Sequence, residues 1–243
     1  MNVAAGMPDA RYRRVRAVCL CIWLGLGQFV IVTLIAMVRY PGGQPWDTDA
    51  PGYSFWHNTL SDLGKNVALN GEPNAMSNFM LLSGGLAALI SMTLWLVLPW
   101  IFACSSAMRR SVWILGVFSV AGMALALCTP GDSIAQMHGL GVFMGAVPAL
   151  VALSLIAGQM IRRRTCPRLL AFATMLLIAT AGANLVLFAT HFWLAREWAP
   201  IDPLAEKLVA IYVLGWILAV SWHAWQKGRE RRMAKQNAEP CSA

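Results

Sequence analysis

The chain has 243 residues, of which 58% are hydrophobic and only 12% are charged. Soluble globular proteins carry about 45–50% apolar and about 25% charged residues, so this composition excludes a water-soluble enzyme, a coiled coil and a disordered chain. The net charge of +8 would suggest nucleic-acid binding in a soluble protein, but membrane proteins collect basic residues in their cytoplasmic loops. The sequence therefore predicts an integral membrane protein, with the lipid bilayer and not nucleic acid as its partner.

Six apolar runs are long enough to cross a bilayer as helices. At about 1.5 Å per residue, about 20 residues span the hydrocarbon core, and a helix satisfies its backbone hydrogen bonds within the segment, as lipid requires. We therefore expect an all-α fold, a polytopic bundle of six transmembrane helices forming a single domain over residues 1–243. The helices are expected at about 17–38, 76–98, 112–128, 138–160, 169–193 and 208–226.

The basic residues are divided unevenly between the two sets of loops. Of 19 Lys and Arg residues, all but four lie in the set that holds both termini and the basic tail 227–243. Because cytoplasmic loops are enriched in Lys and Arg, both termini are expected in the cytoplasm. We expect a multi-pass protein of the plasma membrane, which is the inner membrane in a bacterium. The long loop 39–75 then lies on the outer side, and a loop of this length is usually functional or disordered.

Polar residues near the outer ends of the helices are the candidate site, because polar groups in a membrane are costly and often mark functional positions. Three of the four histidines lie there: His57 in the loop, His138 at the start of the fourth helix and His191 near the end of the fifth. His138 shares one helix stripe with Gly141 and Gly145, which is typical of a close helix–helix contact. We therefore expect the His138 side chain to point into the bundle.

A polar pocket is expected at the outer ends of the fourth and fifth helices. Asn184 lies two turns before His191 and therefore on the same helix face, and the loop segment 57–62 is expected to cover the pocket. The competing interpretation for one acid is capping. Thr59-x-x-Asp62 has the spacing of a capping box, although this loop shows no clear helix for it to cap.

Three short patterns occur in a fixed order along the chain. They are Asn58-Thr59-Leu60-Ser61-Asp62-Leu63-Gly64 after the first helix, Pro130-Gly131-Asp132 with His138-Gly139 before and within the fourth, and Glu206-Lys207 with Tyr212 and Trp216 opening the sixth. Together they resemble a prokaryotic six-helix integral membrane family, a domain of unknown function grouped distantly with the damage-regulated autophagy modulators and the yeast Sfk-type membrane proteins. By helix count and loop order, the resemblance covers nearly the whole chain.

This resemblance implies the six-helix topology and supplies no reaction, since the prokaryotic family has none assigned. Its eukaryotic relatives are associated with lipid organisation and not with catalysis. The residues to which it gives importance are Ser61, Asp62, Asp132, His138 and Glu206.

The leading functional hypothesis is non-catalytic. An outward-facing pocket of polar and histidine side chains would bind a lipid headgroup or a small polar ligand, or would organise the membrane. Such binding needs only polar groups at the outer interface, and these are present. The ligand-binding residues would be Asn58, Ser61, Asp62, Asn184 and Glu206.

The alternative is a zinc-dependent membrane hydrolase that acts on a lipid amide or ester. Three imidazoles and a water make a catalytic zinc site, and a nearby carboxylate can serve as general base. The base would be Asp62 or Asp132, and the zinc ligands would be His57, His138 and His191. Such a constellation resembles the alkaline ceramidase and adiponectin receptor superfamily.

That superfamily places a His-x-x-x-His pair on its last helix, where this sequence has only His223, at the inner end. A third hypothesis is a b-type haem protein with His138 and His191 as axial ligands. The sequence leaves open whether the protein is an enzyme, whether it binds zinc, haem or no cofactor, and how many copies assemble.

Overall fold

The computed structural model describes residues 9–132, 134–164, 166–195 and 201–238. Within these ranges, six α-helices each contain a stretch long and apolar enough to cross a membrane. The predicted all-α bundle of six membrane-spanning helices is therefore confirmed. The helices are α1 (Asp9–Arg39), α2 (Ser77–Ile101), α3 (Ser106–Cys128), α4 (Ala135–Arg163), α5 (Arg168–Ala189) and α6 (Asp202–Ala238), and a π-helical segment, Thr190–Ala195, follows α5.

Most helices extend beyond their apolar runs, although α5 ends at Ala189, before the end of the run 169–193. Helix α3 shows why a helix can begin early. It begins at Ser106 and not at 112, because the Ser105 hydroxyl accepts a hydrogen bond from the Met108 backbone N–H at 3.3 Å. A side-chain cap of this kind satisfies one of the free N–H groups at a helix start. The apolar run indicates only the part of the helix that lies in the hydrocarbon. The residue at which the helix begins is set by the cap.

The helices pack in chain order, and α6 returns to α1. The α1–α6 contact joins the first half of α1 to the second half of α6. There the Trp23 indole N–H donates to the Ser221 hydroxyl at 2.7 Å, and the Cys19 thiol donates to the Ser221 carbonyl at 3.3 Å. The starts of α1, α3 and α5 and the later turns of α6 thus share one end of the bundle, here called the opposite end.

Glycines allow α3 and α4 to pack closely. A Cβ at Gly122 would lie 2.2 Å from the Gly145 nitrogen, and one at Gly141 would lie 2.4 Å from the Ala126 nitrogen. No side chain fits at these distances, so the close contact expected from the small-residue stripe of α4 is confirmed.

Residues 40–76 form an ordered loop over the other end of the bundle, here called the loop end. The loop contains an antiparallel pair of strands, β1 (Gly42–Gln44) and β2 (Asp47–Pro51), and a 3-10 helix, Ser61–Gly64. The sequence indicated no helix at that position. A small apolar cluster packs the loop against α1 and α2, and its buried members are Ala36, Tyr40, Leu63, Ala68 and Met80.

Candidate functional site

A buried polar cluster at the loop end begins with the pair Thr59 and Asp62. The Thr59 backbone N–H donates to Asp62 Oδ2 at 2.7 Å, and the Asp62 N–H donates to Thr59 Oγ1 at 3.1 Å. This is the reciprocal pattern of a capping box, formed at the entry to the 3-10 helix. The spacing predicted these contacts, but the expectation that the loop offers no helix there was wrong, because a helix of four residues leaves no apolar periodicity in the sequence.

Asn58 is fully buried beside this pair and uses both sides of its amide. Its Nδ2 donates to the Gly43 carbonyl at 2.9 Å and lies 3.5 Å from Asp62 Oδ2, while its Oδ1 accepts from the Ser54 N–H at 2.8 Å. Asn58 therefore ties strand β1 and the segment at Ser54 to the 3-10 helix.

Two consecutive residues of α6 hold this segment of the loop. Glu206 Oε2 accepts from the Leu60 N–H at 2.8 Å, and Oε1 accepts from the Ser61 hydroxyl at 3.1 Å. The Lys207 side chain is only 1% exposed, and its ammonium donates to the Asn58 carbonyl and, at 3.0 Å, to the Pro203 carbonyl. The start of α6 thus binds the loop through a carboxylate and an ammonium group.

Aromatic rings surround the Lys207 ammonium. Its Nζ lies 5.2 Å from the centre of the Phe55 ring and 5.5 Å from that of Tyr53, which is the range of a cation–π interaction. The Tyr53 hydroxyl donates to the Asn58 and Thr59 carbonyls at 3.3 and 3.1 Å. Burial raises the pKa of the Tyr53 phenol, and the charges of Glu206 and Asp62 raise it further, so the phenol keeps the proton that it donates.

The formal charges of the cluster balance. Asp62 Oδ1 forms an ion pair with Lys65 Nζ at 2.8 Å. With Glu206 and Lys207, which form hydrogen bonds to backbone and hydroxyl groups, the cluster contains two carboxylates and two ammonium groups. Removing charges from water is costly unless they are paired and hydrogen bonded. The balance explains how this cluster can be buried at the end of an apolar bundle.

The rest of the loop is tied down by Asp132 and Asn74. Asp132 Oδ2 accepts from the Asn66 and Val67 N–H groups at 2.9 and 3.2 Å. Asn74 Nδ2 donates to the Leu63 and Lys65 carbonyls at 3.0 and 2.9 Å. Asp132, predicted as a possible general base, therefore contacts loop backbone in this structure.

His138 points into the bundle, as predicted. Its Nδ1 lies 2.9 Å from the Ala126 carbonyl oxygen and 3.0 Å from that of Thr129, at the end of α3. Because a carbonyl can only accept a hydrogen bond, Nδ1 carries the proton. In the neutral ring, Nε2 is then the nitrogen with the lone pair.

The other two histidines of the predicted zinc site have different surroundings. His57 is exposed, with Nδ1 3.1 Å from the Ser54 hydroxyl and its ring 6.0 Å from that of Trp46. His191 lies in the π-helical segment, 6.5 Å from the ring of Phe192. Over the part of the chain that the structure describes, no group of three His, Cys, Asp or Glu side chains is placed to hold a metal ion. The zinc site and the haem ligand pair stay predictions.

Four of the five predicted ligand-binding residues come together. We expected the segment 57–62 to cover α4 and α5, but its hydrogen bonds lead to α6, because Glu206 and Lys207 are the side chains that meet it. The fifth residue, Asn184, is half-buried on α5. The four are Asn58, Ser61, Asp62 and Glu206.

Lys207 and Tyr53 belong to the cluster and were missed as site residues. Lys207 had a usable signal, since a lysine next to a glutamate at the start of an apolar helix must either reach water or find a partner. Tyr53 had no signal in the sequence, because the path of the loop determines which carbonyls its hydroxyl meets.

Comparisons with known proteins supply no relative. No family model, curated protein or solved structure matches this chain. The resemblance to the six-helix prokaryotic family therefore stays a prediction, and the functional argument rests on the geometry of the chain itself.

Proposed function

We propose that this membrane protein spans the plasma membrane with both termini in the cytoplasm. Its loop end then faces outward, and we propose that it binds a lipid headgroup or a small polar ligand there. The uneven distribution of basic residues supports this orientation. The observation that carries the binding proposal is the buried cluster through which Glu206 and Lys207 fix the loop over the helix ends.

Holding a loop with a buried cluster of charges costs free energy, because the charges have to be removed from water. Replacing buried ion pairs by apolar side chains of similar volume is often neutral or even stabilising. What buried polar groups can add is a defined geometry, because each group must meet its own partner. The cluster therefore suits a loop whose exposed surface has to keep one shape.

That exposed surface combines aromatic rings and carboxylates. Trp46 is 49% exposed and Trp56 is 62% exposed, and Asp47 and Asp49 lie exposed beside Trp46. Tryptophan favours the interface between membrane and water, and aromatic faces with nearby acids favour a positively charged group on a ligand. A lipid headgroup that carries an ammonium group fits this chemistry, as does a small cationic molecule.

The clustered polar residues have a positioning role in this proposal. The hydrogen bonds of Asn58, Ser61, Asp62 and Glu206 are used within the protein, so these residues keep the loop surface in shape. Asn184 stays a predicted ligand-binding residue. The six-helix family that the sequence resembles has no assigned function, but its distant eukaryotic relatives are associated with lipid organisation, which is in keeping with this assignment.

Zinc-dependent lipid hydrolysis remains the second candidate because of one feature of His138. Histidines that bind metals usually donate their second ring N–H to a carbonyl or a carboxylate, and His138 Nδ1 donates to two carbonyls. Its Nε2 would be the metal ligand. The other two ligands would have to come from His57 and His191.

The experiment is mass spectrometry of the full-length protein, purified in mild detergent, for bound small molecules and lipids and for zinc. We expect one lipid class or small molecule to be retained by the wild type and by Glu72→Gln, an exposed acid on the same loop. Asp62→Ala should lose it, because the loop surface changes shape. Equal retention by all three proteins would contradict the binding proposal. About one zinc per chain, lost in His138→Ala, would replace binding by hydrolysis.

A further inference from the structure

The opposite end of the bundle carries arginines that nearby segments cannot neutralise. Residues 73–131 and 133–195 contain no Asp or Glu. The six basic residues of these segments all lie at the opposite end, around the α2–α3 and α4–α5 turns, and they are Arg109, Arg110, Arg162, Arg163, Arg164 and Arg168. Their counter-charge must come largely from outside these segments.

Arg109 is the arginine whose position is fixed. Its guanidinium carbon lies 4.1 Å from the centre of the Trp100 ring and 5.6 Å from that of Trp113. Trp113 is itself oriented, because its indole N–H donates to the Leu96 carbonyl at 3.2 Å. Contacts of this kind are made with the ring faces and use no oxygen acceptor, so the guanidinium N–H groups are left to donate.

Those N–H groups have no acceptor within the described part of the chain, where the Arg109 side chain makes neither a hydrogen bond nor an ion pair. Five donors in a planar fork match the oxygens of a phosphate. The geometry therefore offers an oriented phosphate-binding group.

The surface next to Arg109 is suited to acyl chains. Arg109 lies three residues before the apolar run 112–128, so it lies at the depth of the headgroups. Leu96 on α2 and Ile114 and Val117 on α3 continue from it as exposed apolar side chains. A phospholipid with its phosphate at Arg109 would lay its chains along this face.

The α4–α5 turn adds positive charge beside the same place. The Gln159 amide donates to the Ala103 carbonyl at 3.0 Å, which holds the last turns of α4 against the α2–α3 turn. Arg162 and Arg163 are in the final turn of α4, and both are exposed. Several positive charges near one site favour an anionic lipid over a zwitterionic one.

We propose that Arg109, held near the rings of Trp100 and Trp113, binds the phosphate of an anionic phospholipid whose acyl chains lie on the α2–α3 face. This site is separate from the loop end and does not depend on the function proposed there. The lipid supplies the counter-charge that the neighbouring segments lack.

The test is native mass spectrometry of the full-length, delipidated protein titrated with phosphatidylglycerol or with phosphatidylcholine of the same acyl chains. We expect tighter binding of phosphatidylglycerol, reduced about fivefold or more in Arg109→Gln, because the charge-assisted hydrogen bonds from the guanidinium to the phosphate are lost. Arg110→Gln removes the same charge from an exposed, unstacked neighbour and should reduce binding by less than about twofold. Arg109→Lys should fall between the two, because lysine keeps the charge without the planar fork.

Equal losses in Arg109→Gln and Arg110→Gln would overturn the proposal, as would equal affinity of the wild type for the two lipids. Inorganic phosphate is the third probe, and displacement of the lipid by millimolar phosphate would mean a site for free phosphate. Should Arg109→Gln fail to fold, Trp100→Leu is the second variant, because it keeps the charge of Arg109 and removes the contact of its guanidinium with the Trp100 ring. It should weaken phosphatidylglycerol binding about two- to fivefold, and unchanged binding would equally overturn the proposal.

Discussion

The two ends of the bundle neutralise charge in opposite ways. At the loop end, Asp62 pairs with Lys65, Glu206 accepts two hydrogen bonds from the loop, and Lys207 donates to two carbonyls. At the opposite end, Arg109 lies near the rings of two tryptophans, and the whole segment 73–131 contains no acid.

This difference separates charges that hold the structure from charges that face a partner. A buried ion that has all its partners within the chain contributes by fixing local geometry, and its removal exposes unpaired groups. An oriented ion that has no ion pair or hydrogen bond within the described residues has its charge available for a partner outside the chain. By this contrast, the charges at the loop end keep the loop in one conformation, and the arginine at the opposite end contacts the charge of a lipid directly.

The largest expected effect concerns orientation and is nearly all-or-none. Asp49 lies at the loop end and Arg164 at the opposite end, and both are exposed. The two residues should therefore lie on different sides of the membrane. In a chain with its six native cysteines replaced, a membrane-impermeant maleimide applied to intact cells should label Asp49→Cys and not Arg164→Cys. Permeabilised cells should allow labelling of both, which controls for reactivity. The reverse pattern in intact cells would invert the topology inferred from the basic residues.

The next effect is the stability of the loop end in Asp62→Ala. The variant leaves the Thr59 N–H without its acceptor and Lys65 without its ion-pair partner. Breaking a buried pair in this way costs about 3–5 kcal/mol. Chemical unfolding in detergent measures the loss, and hydrogen exchange should show it concentrated in residues 53–65.

Glu72→Gln is the matched control, because it removes an exposed carboxylate from the same loop. Its free energy of unfolding should stay within about 0.5 kcal/mol of the wild type. A loss of membrane insertion in Asp62→Ala would show that the cluster is needed for assembly of the bundle. An unchanged exchange rate at residues 53–65 would show that the cluster does not hold the loop.

The helices were predictable because the thickness of the hydrocarbon sets the length of an apolar run. The structure of the segments outside the hydrocarbon was less predictable. The start of α3 depends on the Ser105 cap and on the stacking of Arg109 over Trp100. Neither contact changes the local hydropathy, so the run 112–128 marked only the apolar part of the helix.

Asn58, Ser61, Asp62 and Glu206 could be chosen from the sequence as polar residues at the outer ends of apolar helices. Their mutual arrangement could not, since Glu206 and its partner Leu60 are 146 residues apart. The local spacing of Thr59 and Asp62 was informative because a capping box is a short-range device. The contribution of Lys207 required the path of the whole loop to be known.

The smallest expected effect concerns Tyr40, a buried tyrosine at the base of the loop. Its hydroxyl accepts a hydrogen bond from the Leu69 N–H at 3.1 Å, and Tyr40→Phe should cost about 1 kcal/mol because that N–H loses its acceptor. Burial raises the pKa of the Tyr40 phenol to about 12, with a further contribution from Asp62, although the Leu69 hydrogen bond acts in the other direction. The ordinary value is about 10.

A pKa that is raised on folding stabilises the fold below the unfolded value, and this stabilisation is lost as the pH rises through the folded value. The wild type should therefore lose stability between about pH 10 and about pH 12. Tyr40→Phe should be less stable at neutral pH and should lose less over the alkaline range, because one phenol with a raised pKa is gone. The loss that is left comes from Tyr53, whose pKa burial also raises. Parallel alkaline profiles for the wild type and Tyr40→Phe would show that ionisation of Tyr40 is not what loosens the loop end. The alkaline loss would then have to come from Tyr53, whose carbonyl partners lie on the same segment.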